Sequence, residues 1–166
     1  MEQVIVGELE KRKIRAQVDR ILRDLGHPEP PLNLADVRAL LSLDLQYYSS
    51  TDLGLITELT HRFTLLAKKQ LPDLGNHLIA ALAKSRLCAF WVPEISRILI
   101  DSDVPTPKHR WIQAHEITHS VTNWHKGFLL GDNSRTLDPA CHAVIEAEAN
   151  YGAGRLLFLQ DQLAVQ

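Results

Sequence analysis

His115-Glu116-Ile117-Thr118-His119 sets two imidazoles four residues apart, with a carboxylate directly after the first. On a helix, positions i and i+4 stand one turn apart on the same face, so both rings can reach a single cation. Zinc takes imidazole nitrogen at about 2.0–2.1 Å and prefers four ligands, one of them water in a catalytic site. Beside such an ion Glu116 is placed to take a proton from water, while the ion polarises a carbonyl. The chemistry expected is metal-assisted hydrolysis, with His115 and His119 as ligands and Glu116 as general base. The competing reading, a solvent-facing histidine pair that happens to enclose a glutamate, is opposed by the well-capped helix in which the motif sits.

A third protein ligand is needed, and Glu146-Ala147-Glu148-Ala149-Asn150 offers one. Glu146, Asn150 and Ala153 share a helical face, so Glu146 is the expected ligand, completing a set of two histidines and one glutamate. Asn150, one turn on, is expected to accept a hydrogen bond from the far nitrogen of a ligand histidine and so fix its tautomer. Glu148, nearly opposite on the wheel, is the second choice as ligand; its other reading is a solvated helix carboxylate. Ala149, Gly152 and Ala153 are small enough to let two helices approach closely.

Other polar residues carry paired readings. His142, one turn before Glu146, is a candidate donor to the oxyanion of a tetrahedral intermediate, or a helix-start histidine facing solvent. Cys141 could supply a thiolate to the fourth metal position and hold the site inactive, or be a small buried hydrophobe. Cys88, in an apolar run, reads as core. His125 follows His119 by six residues, past the expected helix end, and is assigned to the surface rather than the cleft.

The elements that must position these groups are legible from capping and periodicity. Thr106-Pro107 reads as an N-cap and first helical residue, opening a helix to about Asn123. Asp138-Pro139 repeats the signal for a helix to about Gln160, and Lys126 to Thr136, with Gly127, Gly131, Asp132 and Asn133, reads as a loop. Upstream, residues 3–25 are spaced as an amphipathic helix ended by Gly26. Pro28, Pro30 and Pro31 then mark a linker, and Asn33 caps a short helix over 34–41 that turns Leu34, Val37, Leu40 and Leu41 inward. Leu43, Leu45 and Tyr47 suggest a half-buried strand; residues 52–69 and Asn76 to Ser85 read as helices. Leu87 to Val92 and Ile95 to Ile100 read as a hairpin broken at Pro93-Glu94.

In combination the blocks Arg97-Ile98-Leu99-Ile100, Lys108 to Trp111 with Ala114 to His119, and Glu146 to Asn150 with Ala153 resemble the ImmA/IrrE-type metallopeptidases. The short helix and strand of Leu32 to Tyr48 resemble the opening of that family's domain. The likeness spans roughly residues 32–158. Three departures stand out: Thr118 where the family usually has glycine, Gly152 where an aromatic is common, and Leu156-Leu157-Phe158 in place of an L-M-P ending. The resemblance implies a zincin-like α+β fold and a cytoplasmic zinc endopeptidase. Its substrate would be a helix-turn-helix repressor, cut in a stress, mobile-element or phage-defence switch.

Composition agrees with an ordinary globular domain: 166 residues, 45% hydrophobic, 23% charged, net charge −2. That charge gives no basic field for DNA, and no helix-turn-helix segment is evident, so the repressor is expected to be a separate protein. Two cysteines make no disulfide framework, and neither a signal peptide nor a membrane span is read. Residues 1–31 are expected to form an N-terminal helix and linker packed on a catalytic domain of residues 32–166. Two further functions are weighed: a metal-stabilised module that sequesters a repressor without cutting it, and the toxin of a toxin–antitoxin pair. Zinc is preferred to manganese or iron on ligand type.

Overall fold

The computed structural model describes residues 4–49, 89–129 and 139–158, and of residues 94, 127–129 and 139–142 the backbone alone. The helices expected over 52–69 and Asn76 to Ser85, and Cys88 with its neighbour Leu87, lie outside the described residues.

Helix α1 (Glu8–Asp24) turns Ile14, Val18 and Ile21 inward at i, i+4 and i+7. It starts later than the sequence suggests. Gly7 is the N-cap, and the β-branched run Val4-Ile5-Val6 before it stays non-helical, since branching at Cβ disfavours the helix. Its expected stop holds: Gly26 takes φ +77°, and the His27 amide donates to the Leu22 carbonyl at 2.8 Å. Helix α2 (Leu34–Leu40) is capped by Asn33, whose Oδ1 accepts from the Ala35 amide at 3.0 Å. Leu34 and Val37 are buried, but Leu40 is 42% exposed, contrary to expectation. The apolar stripe of this two-turn helix continues through Leu41, which packs on the core instead.

Strands β1 (Asp44–Tyr48), β2 (Ala89–Val92) and β3 (Arg97–Asp101) form a mixed sheet in the order β1-β3-β2, with β1 parallel and β2 antiparallel to β3. The hairpin of β2 and β3 is joined by a 3-10 turn over Pro93–Ile95 and by Ser96 in the left-handed region at φ 48°. Ile98, Leu99 and Ile100 are fully buried, which is why β3 reads as an unbroken apolar run and not as an alternation.

Helix α3 (Thr106–Val121) begins one residue earlier than expected, with Pro105 at the N-cap, and ends two residues sooner. A further helix, α4 (Asn123–Leu129), follows where a loop was expected from Lys126. Helix α5 (Pro139–Phe158) begins at the expected proline. One apolar core joins these parts: Val18 and Ile21 of α1, Val37 of α2, Ile98 and Ile100 of β3, Ala114 and Ile117 of α3, and Ala153 and Leu156 of α5. The architecture is therefore a mixed α+β one in which α1 shares the core of the segments that follow it. Among the described residues no helix is long and apolar enough to cross a membrane.

Contact between α3 and α5 is close because Gly152 has no side chain. A Cβ there would collide with Thr118 Cγ2, lie 2.9 Å from Thr118 Oγ1 and 3.1 Å from Ile14 Cγ2. Thr118 itself is buried and donates to the Ala114 carbonyl at 2.9 Å, satisfying its hydroxyl within its own helix.

Candidate metal centre

The close packing of α3 on α5 brings together the three residues that the sequence singled out. His115 and His119 lie a turn apart on α3 and point their Nε2 atoms at each other, 3.1 Å apart. From α5, Glu146 places Oε2 3.2 Å from His115 Nε2 and Oε1 3.6 Å from His119 Nε2. His115, His119 and Glu146 thus form a group that could hold a metal ion, each offering one donor atom. The group is not sealed: the Glu146 side chain is 40% exposed, that of His115 14% and that of His119 4%. Solvent reaches it from the Glu146 side.

Glu116, next to the first of these histidines in the chain, is buried, with the Trp91 main-chain amide of β2 acting on its carboxylate. Burial pushes its carboxyl up to about 7, although the His115 charge and the Trp91 amide pull the other way. Glu146 behaves oppositely. Burial raises it, but hydrogen bonds from His115 and His119 hold it well below the ordinary carboxylate range. His119 is pulled down by burial, aided by the neighbouring charges of His115 and His125. For His115, burial also pulls down, but the hydrogen bond to Glu146, the charges of Glu116 and Glu146 and the bond to Asn150 together raise it.

Those directions define the metal-free protein and predict how a metal must enter it. In the metal-free protein His115 holds its proton to higher pH than a free imidazole and Glu116 holds its own up to about 7, whereas Glu146 is kept ionised and His119 is biased towards its neutral form. Ligation requires an unprotonated imidazole, and a nearby dication favours ionised Glu116, so binding at pH 6 should expel about one to two protons. The number should fall as pH rises, because both groups then lose their protons before the metal arrives. Calorimetry in buffers of different ionisation enthalpy measures this count directly. A count that stays at zero at pH 6 would contradict the assignment of His115 as a ligand.

Behind the group lies a set of polar contacts. Asn150 Oδ1 stands 3.1 Å from His115 Nδ1, which places the asparagine where the sequence suggests. His119 Nδ1 is 2.9 Å from Nδ1 of His125, and His125 Nε2 is 2.9 Å from Glu148 Oε2. That same oxygen accepts a 2.7 Å hydrogen bond from Trp124 Nε1. Two expectations are corrected here. His125 is not a surface residue but fully buried, and Glu148 is neither solvated nor among the converging donors. It is a buried carboxylate on the far side of α5, kept ionised by its two donors against the pull of burial.

The cause of the first correction is a one-residue break. In an unbroken helix residues six apart would sit roughly 120° apart on the wheel. Thr122 instead takes an extended backbone (φ −91°, ψ 95°) and folds its hydroxyl onto the Thr118 carbonyl at 2.7 Å. The chain then restarts as α4, bringing His125 back beside His119. The spacing itself was the available signal, because a histidine six residues after an H-E-x-x-H pair is the third ligand in one class of zinc peptidases. Here it approaches the back of His119 and not the cluster. Cys141 and His142 lie on the first turn of α5, and their side chains fall outside the described residues. Set against protein-family models, curated proteins and solved structures, the chain matches none.

Proposed function

We propose that this protein is a zinc-dependent endopeptidase of zincin-like fold, and that its substrate is a separately encoded helix-turn-helix repressor. The observation that carries the reading is the convergence of His115, His119 and Glu146 with the buried carboxylate of Glu116 next to the first ligand. Two donors on one tetrahedral zinc lie about 3.3 Å apart, given bond lengths of about 2.0–2.1 Å. The distances of 3.1, 3.2 and 3.6 Å bracket that value. Two imidazoles and one carboxylate are also a donor set that catalytic zinc uses while leaving a position open. The ImmA/IrrE resemblance supports the same reading and supplies the substrate class.

When bound, zinc would polarise a peptide carbonyl and make water a nucleophile near neutral pH. The protein's own residues do the rest. Glu116, with a carboxyl poised near 7, takes a proton from the attacking water and returns it to the leaving amine. The Trp91 amide acts on the carboxylate, so β2 borders the site; among the described residues β2 is an edge strand, and its outer edge is where an extended substrate segment would lie as an added strand. Asn150 orients His115.

The test uses helix-turn-helix repressors as candidate substrates, beginning with any that is encoded beside this gene. Zinc-loaded protein should cleave one of them at one site, chelation should stop cleavage, and added zinc should restore it. If zinc and a repressor both bind but the repressor stays intact, the reading fails and the sequestering module takes its place.

A further inference from the structure

We infer that His125 and Glu148 form a positioning relay that holds His119 in the tautomer able to bind metal; the inference rests on the metal-site reading above. His119 turns Nε2 towards His115 and Glu146, so that nitrogen must keep its lone pair if it is to ligate. The ring proton then sits on Nδ1, 2.9 Å from His125 Nδ1, and His125 must accept it. A neutral imidazole that accepts at Nδ1 carries its proton on Nε2. In His125 that atom is 2.9 Å from Glu148 Oε2, which accepts. Each proton therefore points the same way, from His119 to His125 to Glu148.

With His125 neutral, the reverse arrangement is disfavoured by the same distances. A proton on His119 Nε2 would make its Nδ1 an acceptor and draw the His125 proton onto Nδ1. His125 would then aim a bare lone pair at an anionic oxygen 2.9 Å away, inside a pocket where His125 is 0% and Glu148 3% exposed. Glu148 is anchored for this task by Trp124, whose indole N–H donates to the same oxygen at 2.7 Å. The imidazole in the middle is needed because of where α5 puts its carboxylates. Glu146 and Glu148 are two residues apart and so face nearly opposite sides of the helix. Glu148 meets His119 only through His125. The other ligand is held differently, by the direct contact of His115 Nδ1 with Asn150.

The experiment compares zinc dissociation constants, by competition with a chromophoric chelator, for the full chain and for His125→Phe, His125→Gln and Glu148→Gln. Thermal unfolding of each metal-free protein is measured separately, and cobalt(II) is used to record the ligand-field spectrum. Phe fills the space but accepts nothing, so zinc affinity should fall about 10–100-fold and the cobalt bands should shift. Gln restores an acceptor and a donor and should recover most of the loss, which a merely space-filling role would not require. Glu148→Gln keeps the hydrogen bonds but removes the charge and should weaken zinc by about 10-fold, the lower end of what partners of a ligand histidine command. Folded His125→Phe with the parent's affinity and cobalt spectrum would overturn the relay while leaving the metal centre standing. If His125→Phe does not fold, Glu148→Gln decides, and an unchanged constant there overturns it. A parent protein that binds no zinc would overturn relay and metal centre together.

Discussion

Glu116→Gln should lower the rate of peptide hydrolysis by about 10²–10⁴-fold, the range that a positioned general base commands, and should leave the zinc in place. The substitution is nearly isosteric, and the amide oxygen can still accept from the Trp91 main-chain N–H that now fixes the carboxylate. What is lost is basicity. Because Glu116 does not belong to the group of converging donors, metal stoichiometry should be unchanged. Affinity should weaken slightly, since one nearby negative charge has gone. The pH profile sharpens the prediction. A base works ionised, so kcat/KM should rise with pH through the Glu116 titration and level off above it. In the metal-free protein burial pushes that carboxyl up to about 7; a dication nearby favours the ionised form, so the acid limb of the zinc-loaded protein should fall below 7. Steady-state kinetics across pH, with metal analysis of each sample, measures both effects. A variant retaining activity within tenfold of the parent would remove Glu116 from the role of base.

The placements that the sequence anticipates are those governed by one helix at a time. His115 and His119 share a face because four residues make about one turn, and Glu146 and Asn150 do so for the same reason. The capping signal placed α2 almost to the residue, since a cap is a local hydrogen-bonding event, and α5 starts at the expected Pro139. The parts read wrongly depend on where two elements meet. His125 was assigned to the surface because nothing local shows that Thr122 will leave the helix for a single residue and turn the chain back. Glu148 reads as solvated on a helical wheel, but α5 is covered on two sides. One meets the metal group; the other faces His125 and Trp124, with Lys13 of α1 placed 5.2 Å from the Trp124 ring centre. An aspartate or glutamate on such a helix is a ligand, a relay or a surface charge according to what packs there, and the wheel does not say which.

Gly152→Ala should destabilise the fold and loosen the metal group, and replacing Thr118 should reverse much of the damage. Taken alone, alanine is the better helix former by about 1 kcal/mol. Packing outweighs that preference, because the new Cβ would collide with Thr118 Cγ2 and stand 2.9 Å from its Oγ1. Neither γ atom can retreat easily: the hydroxyl is bonded to the Ala114 carbonyl and the residue is 2% exposed. Ile14 Cγ2, 3.1 Å from the same point, closes the third side. Overpacking of this kind costs about 1–3 kcal/mol, so a net loss remains after the helix preference is counted. The strain would be relieved by moving α5 off α3, and that displacement separates Glu146 from His115 and His119, which lie on the facing helix. Zinc affinity should therefore drop along with stability. Thr118→Ala alone removes buried atoms and also destabilises. In the double variant the two alanines fit, so the effects should be non-additive by about 1–2 kcal/mol, in the range seen for residues in contact. Thr118 and Gly152 face each other across one helix interface, so their volumes must be exchanged together. A double-mutant cycle in denaturant, read together with zinc affinity, measures the coupling. Additive effects would show that the two positions are independent and that the spacing of α3 and α5 is set elsewhere.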